Sequence, residues 1–441
     1  MKFFDKNVLL SSRAAKKIYT EIKNLPIIDY HCHLSVKEIA ENASLSDLGE
    51  AWLKADHYKW RSMRLCGVDE TYITGDAPYE EKFLKYAEIV PRLAGSPLYY
   101  WTHMELNAVT GIRKPLNKQT APTVYAQANE RLRGVRVQDL LNQFRVSYLA
   151  TTDDPVDDLA LHGKYGNTVV APTFRPDKAL GLDGAYLKEL ARVAEVETDT
   201  LQGLKTALAK RLDFFVSKGC KISDHGFYGF PKEIASESEA AELYAKREGL
   251  TKEEKESLFG HLLLWLAGEY AKRGILMQLH FAVLRNCNPV GFARSGVDSG
   301  YDLPADIPSA ENAVRFFAAM EEGKQPQTVI YALNDGNLTG FAALTGAFPF
   351  VKVGAAWWFN DTMQGNARTL DAVAQFSALG TSLGMLTDSR SFTSYVRFDF
   401  FRRILADYLG NKVTRGEYDM AAALEVAKDI AYGNVKGALK L

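Results

Sequence analysis

The sequence predicts an α/β chain folded as a distorted (β/α)8 TIM barrel, with a long helical insertion between its first and second strands. Three observations carry this. Eight short apolar runs recur along the 441 residues, and helix-like stretches separate them. Strands alternating with helices argue for a parallel sheet, and eight such units argue for a barrel. About 110 residues lie between the first run and the second, far more than a crossover helix needs.

The runs are LPIIDYHCH (Leu25 to His33), VSYLATTDD (Val146 to Asp154), TVVAPTFRPD (Thr168 to Asp177) and GCKISDH (Gly219 to His225). They continue with GILMQLH (Gly274 to His280), TVIYALN (Thr328 to Asn334), FVKVGAAWW (Phe350 to Trp358) and LGMLTDSR (Leu383 to Arg390). Each is nearly continuous in apolar residues rather than alternating, the pattern of a strand buried on both faces. Helical spacing is seen at 185–196, 257–273 and 310–323, and two closing helices are predicted at 398–413 and 420–439. The insertion, residues 35–145, is itself helix-like in IAENASLSDLGEAWLKADHYKWRSMRLCG and EEKFLKYAEIVPRLAG. With no repeat, low-complexity tract or Pro/Ser-rich linker, residues 1–441 read as one domain.

Composition narrows the function. The 53 Lys+Arg against 54 Asp+Glu leave a net charge of -1, without the basic excess that nucleic acid binding needs. No apolar run approaches the ~20 residues of a membrane span. Asp5 and Lys6 fall where a signal peptide would be apolar, so the chain is expected to be cytoplasmic. Four scattered cysteines (Cys32, Cys66, Cys220, Cys287) form neither a disulfide framework nor a thiolate zinc site.

In such barrels chemistry sits at the C-terminal ends of the strands. Read there, the runs deliver His31 and His33, Asp153 and Asp154, Arg175, Asp224 and His225, then His280, Asn334, Trp357 and Trp358, and finally Asp388 and Arg390. His31 and His33 are two apart on a strand, so both imidazoles point to one side and Cys32 to the other. Two such imidazoles with a carboxylate from elsewhere make an open divalent-metal site; His280 and Asp388 at other strand ends strengthen that reading.

Asp388 either caps a helix or serves as a metal-side carboxylate and general base, with Arg390 on an anionic substrate group. Arg175 suits a substrate carboxylate or pairs with a neighbouring acid. Asp224 and His225 form an internal ion pair or take part in the site. Trp357 and Trp358 pack, or one walls a sugar face. In the insertion, His57 and Arg61 share a helix face: either this segment is solvated surface, or Tyr58 lowers over the barrel mouth and donates to an oxyanion. His103, His162 and His261 read as structural.

With these residues in view, the chain resembles the uronate isomerases of the amidohydrolase superfamily. The resemblance rests on DYHCHL at 29–34 followed by IAEN, DHYKWR at 56–61, TGDA at 74–77 and PLYYWTHMEL at 97–106. It extends through TTDDP at 151–155, RPDK at 175–178, SDH at 223–225, WWFND at 357–361 and LTDSRSF at 386–392. It implies a distorted barrel and an aldose–ketose isomerisation of D-glucuronate to D-fructuronate and of D-galacturonate to D-tagaturonate. It also implies one divalent metal ion, usually zinc, on His31, His33 and Asp388, with further roles for His57, Tyr58, Arg175, Asp224, His280, Trp357 or Trp358, and Arg390.

The expected mechanism moves a proton between C2 and C1 through a cis-enediol. Asp388 is the base, Tyr58 or His57 the shuttle, and Arg175 or Arg390 the grip on charge. The expected partner is a small uronate, with neither nucleic acid nor membrane, and a homo-oligomer is allowed for. Two departures bear on substrate preference: Cys287 within HFAVLRNCNP, and GFYGF after SDH. The alternatives are a metal-dependent hydrolase of the same superfamily and a catalytically silent sugar-acid-binding protein.

Overall fold

The computed structural model describes residues 3–45, 47–305 and 310–441. Its strands are β1 (Ile27–Asp29), β2 (Val146–Ala150), β3 (Gly163–Tyr165), β4 (Thr168–Ala171), β5 (Thr173–Phe174) and β6 (Ile222–Phe227). They continue as β7 (Leu276–Phe281), β8 (Val283–Leu284), β9 (Leu303–Pro304), β10 (Thr328–Ala332) and β11 (Val351–Val353). Helices intervene, giving a mixed α/β fold whose main ladders are parallel. No helix among the described residues is long and apolar enough to cross a membrane.

One ladder runs β1-β2-β4-β3 and another runs β11-β10-β7-β6-β5. Pro172 divides the third apolar run into β4 and β5, since a proline has no N–H to give a ladder. The two ladders remain joined. Asp153 bridges to Phe174 in parallel fashion, and the Arg175 N–H donates to the Asp153 carbonyl at 3.0 Å. Every residue of β7 is buried, as its unbroken apolar run requires of a strand covered on both faces.

The eighth run differs from expectation. Residues 383–389 form no ladder strand. Gly384 and Asp388 both take left-handed backbone conformations, at φ 72° and 46°, which break an extended pairing. Gly384 has a packing reason as well, because a Cβ there would run into the Ile430 carbonyl. The segment is nevertheless bound to the first strand. The Asp388 N–H donates to the His31 carbonyl at 3.1 Å, and the His33 N–H to the Ser389 carbonyl at 2.9 Å. Asp29, fully buried, accepts from the Thr387 amide at 2.9 Å and its hydroxyl at 2.6 Å, and the Tyr30 hydroxyl donates to the Gly384 carbonyl at 2.9 Å.

Residues 36–143 carry seven α-helices among the described residues and bury an apolar cluster of their own around Trp52, Phe83 and Tyr86. One of these helices, His57–Leu65, starts at Asp56, whose carboxylate accepts from the Tyr58 and Lys59 amides and pairs with the buried Lys59 ammonium at 2.6 Å. Elsewhere the predicted 310–323 helix ends at Ala318, and the 420–439 helix is interrupted by a π turn at Asp429–Gly433.

Replacing Asp29 with alanine leaves the buried Thr387 amide and hydroxyl without their acceptor. We expect a loss of about 2 kcal/mol in chemical denaturation, in the range for stranded buried donors. An unchanged denaturation midpoint would show that the segment is held by other means.

Candidate active site

A cavity of about 630 Å³ opens at the C-terminal ends of the strands. Its wall takes His31 and His33 from just past β1, Asp153 and Asp154 from beyond β2, Arg175 from the end of β5, and His280 from β7. Trp357, Trp358, Asp388 and Arg390 come from the later loops, and His57 from the helix it begins. Alternation along the chain works as the spacing requires. Cys32, between the two histidines, turns away and donates to the Ala150 carbonyl.

Asp388 stands between the pair. Its Oδ1 lies 3.2 Å from His31 Nε2 and 3.1 Å from His33 Nε2, while the Trp357 indole N–H donates to Oδ2 at 2.7 Å. Burial alone would raise the Asp388 carboxyl, but the His31 and His33 hydrogen bonds hold it well below the usual carboxylate range. Burial lowers His33. It opposes charge on His31 too, yet the Asp224 and Asp388 carboxylates outweigh it, and that imidazole is raised. These three donor atoms suit a divalent ion. Ligands each about 2.1 Å from one centre, at tetrahedral or octahedral angles, lie roughly 3.0–3.4 Å apart. The two His-to-Asp separations fall in that interval. His280 Nε2 is buried without a hydrogen-bond partner, and His280 belongs with His31 and Asp224 to a second group that shares His31.

Asp224 is fully buried and does not line the cavity. It accepts from His280 Nδ1 at 2.6 Å and pairs with the Arg175 guanidinium at 3.0 Å. Burial would raise it; Arg175 and His280 hold it well below the ordinary value. It therefore orients two wall residues rather than touching a ligand. The expected Asp224–His225 ion pair does not form. Neighbours on a strand face opposite ways, and His225 turns outward to the Tyr270 hydroxyl at 3.0 Å. His280 is clamped further by the Tyr331 ring, stacked at 4.3 Å, and by Trp357 at 4.5 Å.

The face shared by His57 and Arg61 is not solvated surface. His57 faces the cavity against Trp358, at 5.3 Å between ring centroids, and burial with the Arg390 charge lowers its pKa to about 4. Arg61 donates to the Asp302 carbonyl at 3.2 Å. Tyr58 is not among the cavity-lining residues; its ring packs on Trp101 and beneath the Arg397 guanidinium. Asn334 likewise lies off the wall, where it caps a turn and donates to the Ala305 carbonyl. Both tryptophans line the cavity, so neither is packing alone.

Two wall residues, Asp298 and Arg285, carried no signal in the sequence. Asp298 pairs with Arg390 at 2.8 Å, and Arg285 reaches Asp302 at 3.0 Å while lying 5.0 Å over the Trp358 ring. Both come from the segment between β7 and β10, where β8 and β9 form a short antiparallel pair. Asp177 holds Arg175 at 2.9 Å. Gly226 follows SDH, and a Cβ there would lie 2.5 Å from the Arg175 guanidinium.

A family model described as glucuronate isomerase matches residues 1–438. The uronate isomerase of Bacillus pumilus (strain SAFR-032) is 40% identical, covering 98% of this chain and 96% of its own. That of Mannheimia succiniciproducens is 40% identical over the full length of both. The chain belongs to the glucuronate isomerase family. A crystal structure of uronate isomerase from Thermotoga maritima superposes with a TM-score of 0.96 at 33% identity, covering all of both chains.

Two measurements check this geometry. Gly226→Ala is expected to displace the Arg175 guanidinium and lower kcat/KM by roughly tenfold or more, since small misplacements of positioning groups are costly, with the melting temperature little changed. An unaltered kcat/KM would mean that Arg175 placement is immaterial. In a proton NMR titration, the His57 resonance, assigned through a His57→Gln variant, should stay that of the neutral ring between pH 6 and 8. A lowered pKa puts its protonation near the value of about 4; a midpoint near 6.5 would contradict it.

Proposed function

We propose that this protein converts D-glucuronate to D-fructuronate and D-galacturonate to D-tagaturonate at this cavity. The observation that supports it most is one carboxylate, Asp388, set between two imidazoles, with Arg390 and Arg175 on the same wall. We also read the two ladders and the 383–389 segment as one closed eight-unit barrel in a single domain, with residues 35–145 as its helical insertion. The hydrogen bonds from 388 and 389 to the end of the first strand support closure.

His31, His33 and Asp388 would hold one zinc ion, which would polarise a substrate oxygen as a Lewis acid. Everything else falls to the chain. Arg390 has a single carboxylate partner and so has N–H donors to spare for the substrate carboxylate. Arg175, already held by Asp177 and Asp224, presents a fixed charge. Asp388 stays ionised at neutral pH and takes the C2 proton, then returns it to C1. The neutral His57 ring takes the O2 proton and gives one to O1, so the aldose leaves as the ketose with no net loss of atoms. Trp357 and Trp358 wall the sugar.

Purified protein incubated with each uronate should form the ketose, lose the activity on chelation and regain it with zinc. Asp388→Asn should lower kcat by about three orders of magnitude, within the span ascribed to general base catalysis, while the fold persists by circular dichroism. Near-wild-type turnover in that variant sinks the base assignment. Acid release from an ester or lactone without ketose formation would favour the hydrolase reading.

A further inference from the structure

A second cavity, of about 390 Å³, lies at the other end of the first strand. It is walled by Leu25 and Ile27 and by residues 143–145, which enter β1 and β2, whereas the catalytic cavity sits where those strands end. Seven lysines and arginines line it against two aspartates, in a chain whose overall charge is -1. Both aspartates are already engaged. Asp399 accepts from Arg403 at 2.9 Å and from the Tyr19 hydroxyl at 2.5 Å, and Asp5 accepts from the Asn7 amide.

Arg402 is the telling residue. It is only 4% exposed and makes no ion pair among the described residues, and its Nε is buried without a hydrogen-bond partner. Its terminal nitrogens donate to the Lys23 and Pro26 carbonyls at 3.3 and 2.9 Å. Arg145 reaches the same turn and donates to the Asn24 carbonyl at 3.0 Å, from a left-handed backbone at φ 58° that is uncommon outside glycine. Two guanidinium groups thus gather on residues 23–26, with Lys23 beside them and only neutral carbonyls to satisfy them. Burial pulls Arg402 down, to about 10, with the Arg145 charge adding to it and the more distant Asp399 carboxylate opposing it. A buried cation with no carboxylate in ion-pair contact is costly, and so is a second cation nearby.

We propose that this cavity is a binding site for a small organic phosphomonoester, separate from the catalytic cavity. A phosphomonoester carries about two negative charges at neutral pH and three acceptor oxygens, which matches two guanidinium forks and a lysine better than one carboxylate would. Phe144, Tyr395 and Phe398 on the same wall offer an apolar surface to its organic part. The volume suits a ligand of that size.

The test is calorimetric titration of the full-length, zinc-loaded protein with phenyl phosphate, with inorganic phosphate and benzoate in parallel. Saturable binding of phenyl phosphate, tighter than of benzoate, is expected, and it should persist when a uronate saturates the catalytic cavity. Arg402→Met and the more exposed Arg145→Gln should each weaken it at least tenfold while leaving kcat and KM for uronates unchanged. Arg145→Gln keeps the proposal testable if the buried variant fails to fold. The proposal is overturned if no saturable binding occurs, if uronate displaces the phosphate, or if Arg145→Gln binds as the parent does. In each of those cases the arginines serve only to pin the 23–26 turn.

Discussion

Asp29 and Thr387 lie 358 positions apart, yet the buried Asp29 carboxylate takes both the amide and the hydroxyl of Thr387. Just beyond, two backbone hydrogen bonds join residues 388 and 389 to His31 and His33. These bonds bring a carboxylate from late in the chain, Asp388, against its first pair of imidazoles. Without them Asp388 has no reason to stand between two rings from the other end of the sequence. Burial strengthens the arrangement: a carboxylate in a low-dielectric setting leaves few alternatives to the donors it faces.

The same economy of charge governs the cavity wall. Ions on and behind the wall are matched by partners fixed from other segments of the chain. Asp224 from β6 serves His280 from β7 and Arg175 from the end of β5, and Asp298 serves Arg390. The neutral state of His57 follows from the reverse situation. It is buried beside the Arg390 cation, and burial there favours the uncharged ring. One wall therefore holds an ionised carboxylate and a neutral imidazole together at ordinary pH, the pair that a proton relay between carbon and oxygen needs.

Much of the site was legible because strand ends are legible. An apolar run that stops at an ionisable residue marks a segment that ends at the site, and so His31, His33, Arg175, His280 and Asp388 could be named from spacing, although the run before Asp388 is not a strand. Two kinds of residue escaped. Asp298 and Arg285 sit in an irregular segment after β7, where no periodicity distinguishes a wall residue from any loop residue. Asp224, Tyr58 and Asn334 were named, but the side on which each would lie depends on neighbours far away in sequence. The eighth run was read as a strand from its apolar content. Two left-handed residues within it and the packing of Ile430 on Gly384 prevent that.

By itself, then, the sequence determined the mixed α/β kind of fold with parallel pairing, the family, and which residue types gather where the strands end. Hydrophobic runs and strand alternation are local properties, and local patterns record them. Only the tertiary structure decided that His57 faces the cavity while Tyr58 turns aside, that Asp224 supports the wall from behind, and that cations gather at the far end of β1. Each of those outcomes is settled by burial and charge pairing between segments separated by tens to hundreds of residues. No local pattern encodes such contacts, because their energy exists only once the chain has closed on itself.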